Sequence, residues 1–308
     1  GSIRIPASAC GVVGLKPTRG RVAWGLSAAD PLLGWAVQFL LCRSVRDAAA
    51  GLDALAGPVA GDAAVLPAPQ RPWLEELTAD AGRLRVAVSH QPWSGADADG
   101  EVEAACVQTA TLLADLGHEL VDARPEFSWE QFLDAMTVVW SATTAQTVDA
   151  IARAVDRTPS PDTLELPTLR MVEYGRSLTA GQVIGALDAA GYIGRQVGEF
   201  FSQHDLLLTP TLGAPPVRLG VYQPEAELEP RELFSSWSQL ESFLPVFNST
   251  GHPAISLPLH QSDGGLPIGM QLVGRFGDEA TLLRVAAQLE RALPWAGRVP
   301  PLHVAAAG

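Results

Sequence analysis

The order of predicted elements between residues 83 and 122 constrains the fold more than any other feature of this chain. Residues 83–89 alternate between apolar and polar side chains as a strand does, and residues 101–116 form an Ala- and Leu-rich helical run that stops at Gly117. A second strand is predicted at residues 119–122. Strand, helix, short turn and strand in this order predict a crossover unit of an α/β sheet.

The rest of the chain offers further elements for such a sheet. Helices are predicted at residues 43–56, 129–155 and 278–293, at 163–201 with a break near Thr179, and in a segment that ends at Leu244. Strands are predicted at residues 204–212, 254–259 and 268–273. Of the 308 residues, 47% are apolar and 18% are charged, which is enough apolar material for one large domain over residues 1–308.

The first 22 residues have a different character from the rest. They contain four glycines and two prolines among small side chains. This composition predicts a loop that is packed tightly at a buried site, rather than a mobile tail.

Charge and cysteine content narrow the range of partners. The formal net charge is -13, and Lys16 is the only lysine among 21 basic residues, so a phosphate backbone or an anionic membrane is not an expected partner. Cys10, Cys42 and Cys106 are widely spaced without a CxxC pair, which argues against a disulfide framework and a zinc site. We predict a cytoplasmic protein that uses no metal.

The first segment also resembles a known motif. It reads GSIRIPASACGVVGLKPTRGRV and resembles the second half of the amidase signature, in which Gly-Ser-Ile-Arg-x-Pro-Ala is followed by Cys-Gly-x-x-Gly-Leu-Lys-Pro-Thr and Gly-Arg-Val. The segments that start at residues 43, 247 and 265 are also similar to this family, so the resemblance spans essentially the whole chain. The stretches at residues 57 and 157 look similar to bacterial amidases of the 6-aminohexanoate-cyclic-dimer-hydrolase type.

The resemblance implies both a fold and an extent. The fold is the amidase-signature α/β/α fold, a mixed twisted sheet with helices on both faces. Because the chain begins inside the signature, the expected unit is a single but incomplete amidase domain that lacks the N-terminal part of the family fold.

The resemblance also implies a reaction, the hydrolysis of linear carbon–nitrogen amides. Ser2 would be the nucleophile that forms an acyl-enzyme, and the backbone N–H groups of Gly1, Ser2 and preceding residues would form the oxyanion hole. The substrate would be a small-molecule amide, and no cofactor is implied. A scar left by an expression tag is the alternative interpretation of Gly1 and Ser2.

The family's general base is not expected on this chain. In the family, a lysine accepts the proton of the nucleophile through a bridging serine, and both residues lie upstream of the nucleophile. Lys16 falls at the structural Lys-Pro-Thr position and is not assigned as the base. This chain alone is therefore predicted to be inactive.

Three other residues that could belong to the site can also be interpreted as having a structural role. The resemblance places Trp140, with Met136 and Val139, near the acyl-binding cleft. A row of apolar residues at helical spacing is also typical of a helix that packs in the hydrophobic core, and this is the alternative interpretation. Cys10 is predicted to pack in the core rather than to act as a thiol nucleophile. Arg4 is expected to anchor the loop that carries the nucleophile.

Two other functional classes remain open from the sequence. One is an amidotransferase A subunit, which uses the same signature to hydrolyse glutamine. The other is a catalytically dead fragment without the lysine and bridging serine. A homodimer is a further possibility that the sequence does not decide.

Overall fold

The protein is built around a mixed, open sheet. A computed structural model describes residues 1–25, 30–62, 65–222, 227–300 and 302–303. Within these residues the sheet has seven strands in the order β2-β1-β6-β7-β5-β3-β4. The strands are β1 (Val13–Lys16), β2 (Leu41–Cys42), β3 (Arg85–Val88), β4 (Glu119–Asp122), β5 (Leu206–Pro210), β6 (Ala254–Gln261) and β7 (Pro267–Gly274).

Helices cover both faces of this sheet. They are α1 (Arg4–Cys10), α2 (Val45–Leu55), α3 (Trp73–Glu76), α4 (Gly100–Asp115), α5 (Trp129–Val155), α6 (Leu166–Ser177), α7 (Ala180–Gln203), α8 (Pro230–Glu241), α9 (Val246–Ser249) and α10 (Glu279–Ala292), with a short 3-10 helix at Pro31–Gly34. One core lies under α2, α4 and α10, and a second core lies under α5, α7 and α8. The predicted α/β/α fold is confirmed.

Strand β5 shows how one strand serves both cores. Leu206 and Leu208 point into the first core and Leu207 points into the second, as the period of two in a strand requires. All three side chains are fully buried. A strand that is buried on both faces carries apolar side chains at successive positions. This is why residues 204–212 lack the alternation of apolar and polar side chains that a surface strand shows.

The predicted crossover unit is also present. Strands β3 and β4 are parallel and joined by α4, and β3 also pairs in parallel with β5. The remaining pairs in the sheet are antiparallel. Helix α4 is followed by Gly117 at φ 96°, a left-handed conformation that glycine adopts without a steric cost.

The prediction of a loop for the first 22 residues is wrong in part. Residues Arg4–Cys10 form helix α1 and Val13–Lys16 form strand β1, with Gly11 in a left-handed conformation between them. A Cβ at Gly14 would lie 2.5 Å from the Cβ of Ala7 and 2.8 Å from the carbonyl oxygen of Ile3. Small residues are therefore needed here for close packing of a helix on a strand.

A buried ion pair fixes the end of this segment to α10. The carboxylate of Glu279 accepts hydrogen bonds from the backbone N–H of Thr18 at 2.8 Å and from Nη2 of Arg21 at 2.9 Å. The side chains of Arg21 and Glu279 are 7% and 1% exposed. Glu279 therefore holds the segment after β1 in place.

Stability is expected to depend on pH through His252. Burial, with the nearby charges of Lys16 and Arg19, lowers the pKa of His252 from 6.5 to about 4. Above pH 6.5 the folded and unfolded states both hold a neutral imidazole, and between pH 6.5 and 4 only the unfolded state gains the proton. This histidine therefore lowers the free energy of unfolding as the pH falls through that window.

Urea denaturation of the wild type and of His252→Asn, at intervals from pH 7.5 to 4, tests this effect. The stability advantage of the wild type should shrink as the pH falls from 6.5 to 4. Parallel stability curves for the two proteins over this range would contradict the assignment.

No helix in the described part of the chain combines the length and the apolar character that crossing a membrane requires.

Candidate active site

Ser2 lies in a tight turn directly before α1. A hydrogen bond of 2.8 Å from the backbone N–H of Ile5 to the carbonyl oxygen of Gly1 closes the turn. The side chain of Ser2 is exposed, and within the described residues its hydroxyl group has no hydrogen-bond partner. The backbone N–H groups of Ser2 and Ile3 have no acceptor there either. The turn thus presents a free hydroxyl group beside free backbone donors.

Arg4 holds this turn against the rest of the fold. Its side chain is 1% exposed and donates to the side-chain oxygens of Gln271 and Asn248, both at 2.5 Å, and to the carbonyl oxygen of Leu244 at 3.1 Å. No described carboxylate forms an ion pair with it, and burial lowers its pKa to about 9. As expected from the sequence, Arg4 anchors the segment, although its partners are amide and carbonyl oxygens.

Asn248 extends this anchor to a second loop. Its amide nitrogen donates to the carbonyl oxygen of Trp35 at 2.8 Å, while its oxygen accepts from Arg4. No local pattern could have identified its contact with Arg4, because the two residues lie 244 positions apart.

Two cavities meet at Ser2. The smaller one, called here the polar cavity, has a volume of about 60 Å³ and is lined by Gly1, Ser2, Arg4, Lys16, Trp35 and Asn248, among others. The larger one, called here the aromatic cavity, has a volume of about 480 Å³ and is lined by Ser2, Trp140, Tyr222, Phe234, Trp237 and Glu241, among others. Gly1, Ser2 and Trp140 border both cavities. The exposed hydroxyl group of Ser2 therefore lies beside a space large enough for a small molecule.

Lys16 lies closer to this site than its structural assignment suggested. It is 1% exposed and borders the polar cavity, where its Nζ donates to the carbonyl oxygen of Pro17 at 2.9 Å. Burial, followed by the charges of Arg4 and Arg19, lowers its pKa well below the usual value. Within the described residues no hydrogen bond joins Lys16 to Ser2.

The other residues that the sequence singled out differ in whether they line a cavity. Trp140 lines both cavities and Met136 lines the aromatic cavity, whereas Val139 is fully buried in the second core. Cys10 is exposed at the end of α1, so the prediction that it packs in the core is wrong. The reason is that Cys10 is the last residue of a short helix whose packed face is formed by Ala7 and Ser8.

Sequence reasoning missed Glu241 and Tyr222, which border the aromatic cavity. Neither lies in a motif. Glu241 ends a helix, and Tyr222 lies in a Pro-, Gly- and Glu-rich connection that the sequence indicates only as a loop.

The described residues contain no cluster of three or more His, Cys, Asp or Glu side chains that could hold a metal ion.

Comparison with known proteins gives a consistent result. The family profile described as "Amidase" matches residues 1–283. A 6-aminohexanoate-cyclic-dimer hydrolase from Paenarthrobacter ureafaciens is 38% identical over 311 residues, which cover 98% of this chain and 63% of the relative. A putative amidase, AmiB2, from Mycobacterium tuberculosis is 34% identical, with coverage of 97% and 61%. The chain thus spans just under two thirds of the length of these relatives.

Solved structures agree with the sequence matches. A structure of 6-aminohexanoate cyclic dimer hydrolase superposes with a TM-score of 0.89 at 36% identity, over 97% of this chain and 64% of that one. A bacterial aryl acylamidase of the amidase signature family superposes with a TM-score of 0.76 at 23% identity, over 97% and 63%, and this match shows the fold alone.

Proposed function

Because the chain belongs to the amidase family, we propose that the protein hydrolyses carbon–nitrogen amide bonds through an acyl-enzyme formed on Ser2. The observation that carries the proposal is the position of the Ser2 hydroxyl group, which has no partner among the described residues and lies where the two cavities meet. A nucleophile must be accessible and close to the space that holds its substrate.

The proposed reaction has two steps. The oxygen of Ser2 attacks the amide carbonyl carbon while its proton passes to a general base, and the tetrahedral intermediate collapses to a serine ester as the amine leaves with a proton. Water then attacks the ester, which releases the carboxylic acid and restores the serine hydroxyl group. The free N–H groups beside Ser2 can donate to the oxyanion in both steps, and one such donor typically contributes about 10² to 10³ in rate.

We place the general base by family resemblance. The signature has a lysine and a bridging serine upstream of its nucleophile, and we propose that the proton of Ser2 passes through such groups. A lysine can serve as a base when burial lowers its pKa. This chain without those groups is accordingly proposed to be inactive.

The aromatic cavity indicates a small-molecule substrate. Its volume of about 480 Å³ lies within the usual range for ligand sites, and Trp140, Phe234 and Trp237 give it an apolar wall. The relatives include an enzyme named for the 6-aminohexanoate cyclic dimer. The amidotransferase alternative gains no specific support from the site, so glutamine is not proposed as the substrate.

Labelling with a fluorophosphonate probe tests the proposal. The probe should modify Ser2 in a version of the protein that is extended upstream through the complete signature, and mass spectrometry of the digested protein should locate the label on the peptide that contains Ser2. The chain of 308 residues should label far more slowly, because it lacks the proposed base. A label on another residue of the extended protein, or no label at all, would contradict the role of Ser2.

A further inference from the structure

We propose that the aromatic cavity binds a primary ammonium group of the substrate, with Glu241 as its counter-ion. The inference rests on the proposed function, because it names the class of amide that the site selects: a small amide with a cationic amino group on the part that enters this cavity.

The wall of the cavity suits a cation. The rings of Trp140 and Phe234 lie 5.8 Å apart at 60°, and those of Phe234 and Trp237 lie 5.5 Å apart at 84°. Ring faces carry partial negative charge, and a cation over the face of a tryptophan or phenylalanine is attracted by it. Three rings that meet edge to face therefore offer faces in several directions around one space.

Glu241 is the acidic residue in the lining of this cavity. Its carboxylate forms no hydrogen bond and no ion pair with any described residue. Burial raises its pKa, as expected for a carboxyl group that has left water without a compensating partner. An ammonium group in the cavity would provide that partner and favour the ionised carboxylate.

The position of Glu241 in its helix adds to the attraction. Glu241 is the last residue of α8, a helix of 12 residues. The C-terminal end of a helix carries a partial negative charge, which makes a carboxylate unfavourable and a cation favourable at this place. A carboxylate at such an end, without a cationic side chain as its partner among the described residues, is explained if the partner is a ligand.

The test measures binding rather than turnover, so it does not depend on hydrolysis. Isothermal titration calorimetry of the 308-residue chain with hexylammonium and with 1-hexanol compares a cationic and a neutral probe of equal length. The Kd of hexylammonium should be lower than that of hexanol by a factor of about ten or more. Glu241→Gln should bring the two Kd values within about twofold of each other.

Glu232→Gln is the matched control. Glu232 is exposed on the same helix α8, and a glutamine can keep its capping interaction with the backbone N–H of Glu229. This variant should retain the preference for hexylammonium, and thermal melting should show that both variants fold as the wild type does.

Three results would overturn the inference: an equal preference in Glu241→Gln and the wild type, equal loss of the preference in both variants, or no binding of either probe. None of these results affects the labelling of Ser2. Conversely, failure of that labelling leaves the calorimetric comparison intact, so the two proposals fail separately.

Discussion

Replacing Ser2 with alanine is expected to lower kcat for amide hydrolysis by about 10⁶, the order of loss seen when the catalytic serine of a serine hydrolase is removed and its other groups stay in place. The measurement is the release of the amine product by the upstream-extended protein, followed on an anilide substrate. The fold should be unchanged, because the Ser2 side chain is exposed and contacts no described hydrogen-bond partner. The loss should therefore appear without a change in melting temperature.

Cys10→Ser provides the matched control for this variant. Cys10 is exposed at the other end of α1 and is the alternative nucleophile that the signature offers. Its replacement should leave kcat within about twofold, as expected for a surface change away from the chemistry. A large loss in Cys10→Ser with activity retained in Ser2→Ala would reverse the assignment of the nucleophile.

Replacing Glu279 with alanine is expected to lower the free energy of unfolding by about 3–5 kcal/mol, the usual cost of removing one partner of a buried ion pair. The guanidinium group of Arg21 would remain buried without its carboxylate, and the backbone N–H of Thr18 would lose its acceptor. Urea denaturation monitored by tryptophan fluorescence measures the difference.

Glu173→Ala is the control, since it breaks an exposed ion pair between Glu173 and Arg170, with side chains 50% and 40% exposed. That change should cost less than about 1 kcal/mol. The double replacement Arg21→Met with Glu279→Leu should recover part of the loss, because it removes both buried charges. Equal effects of Glu279→Ala and Glu173→Ala would show that the buried pair does not stabilise the fold.

Periodic elements could be predicted well from the sequence. Helix α5 (Trp129–Val155) and strand β4 (Glu119–Asp122) have the predicted bounds, and the break between α6 and α7 lies at the predicted Thr179, which caps α7. In each case a strong local signal, such as a long apolar repeat or a capping residue, agrees with the tertiary structure.

The first segment shows where local signals fail. Its glycines suggested a loop, but Gly14 is small because α1 packs directly on β1, a contact that no local pattern reveals. The residues of the candidate active site differ in the same way in whether the sequence could identify them. Ser2 could be placed through a motif, whereas Asn248 and Glu241 reach the site only through tertiary contacts with residues far away in the sequence.

The contacts of Arg4 have a consequence for how the protein acquires its site during synthesis. Arg4 is fixed by Leu244, Asn248 and Gln271, which follow it by 240 to 267 residues, and β1 pairs with β6. The turn that carries Ser2 therefore leaves the ribosome long before its supports do. Contacts of such long sequence separation form slowly, because a large loop must close first. The serine turn is thus assembled only when the C-terminal third of the chain has folded, and a nascent chain that ends before residue 271 would lack a support for it.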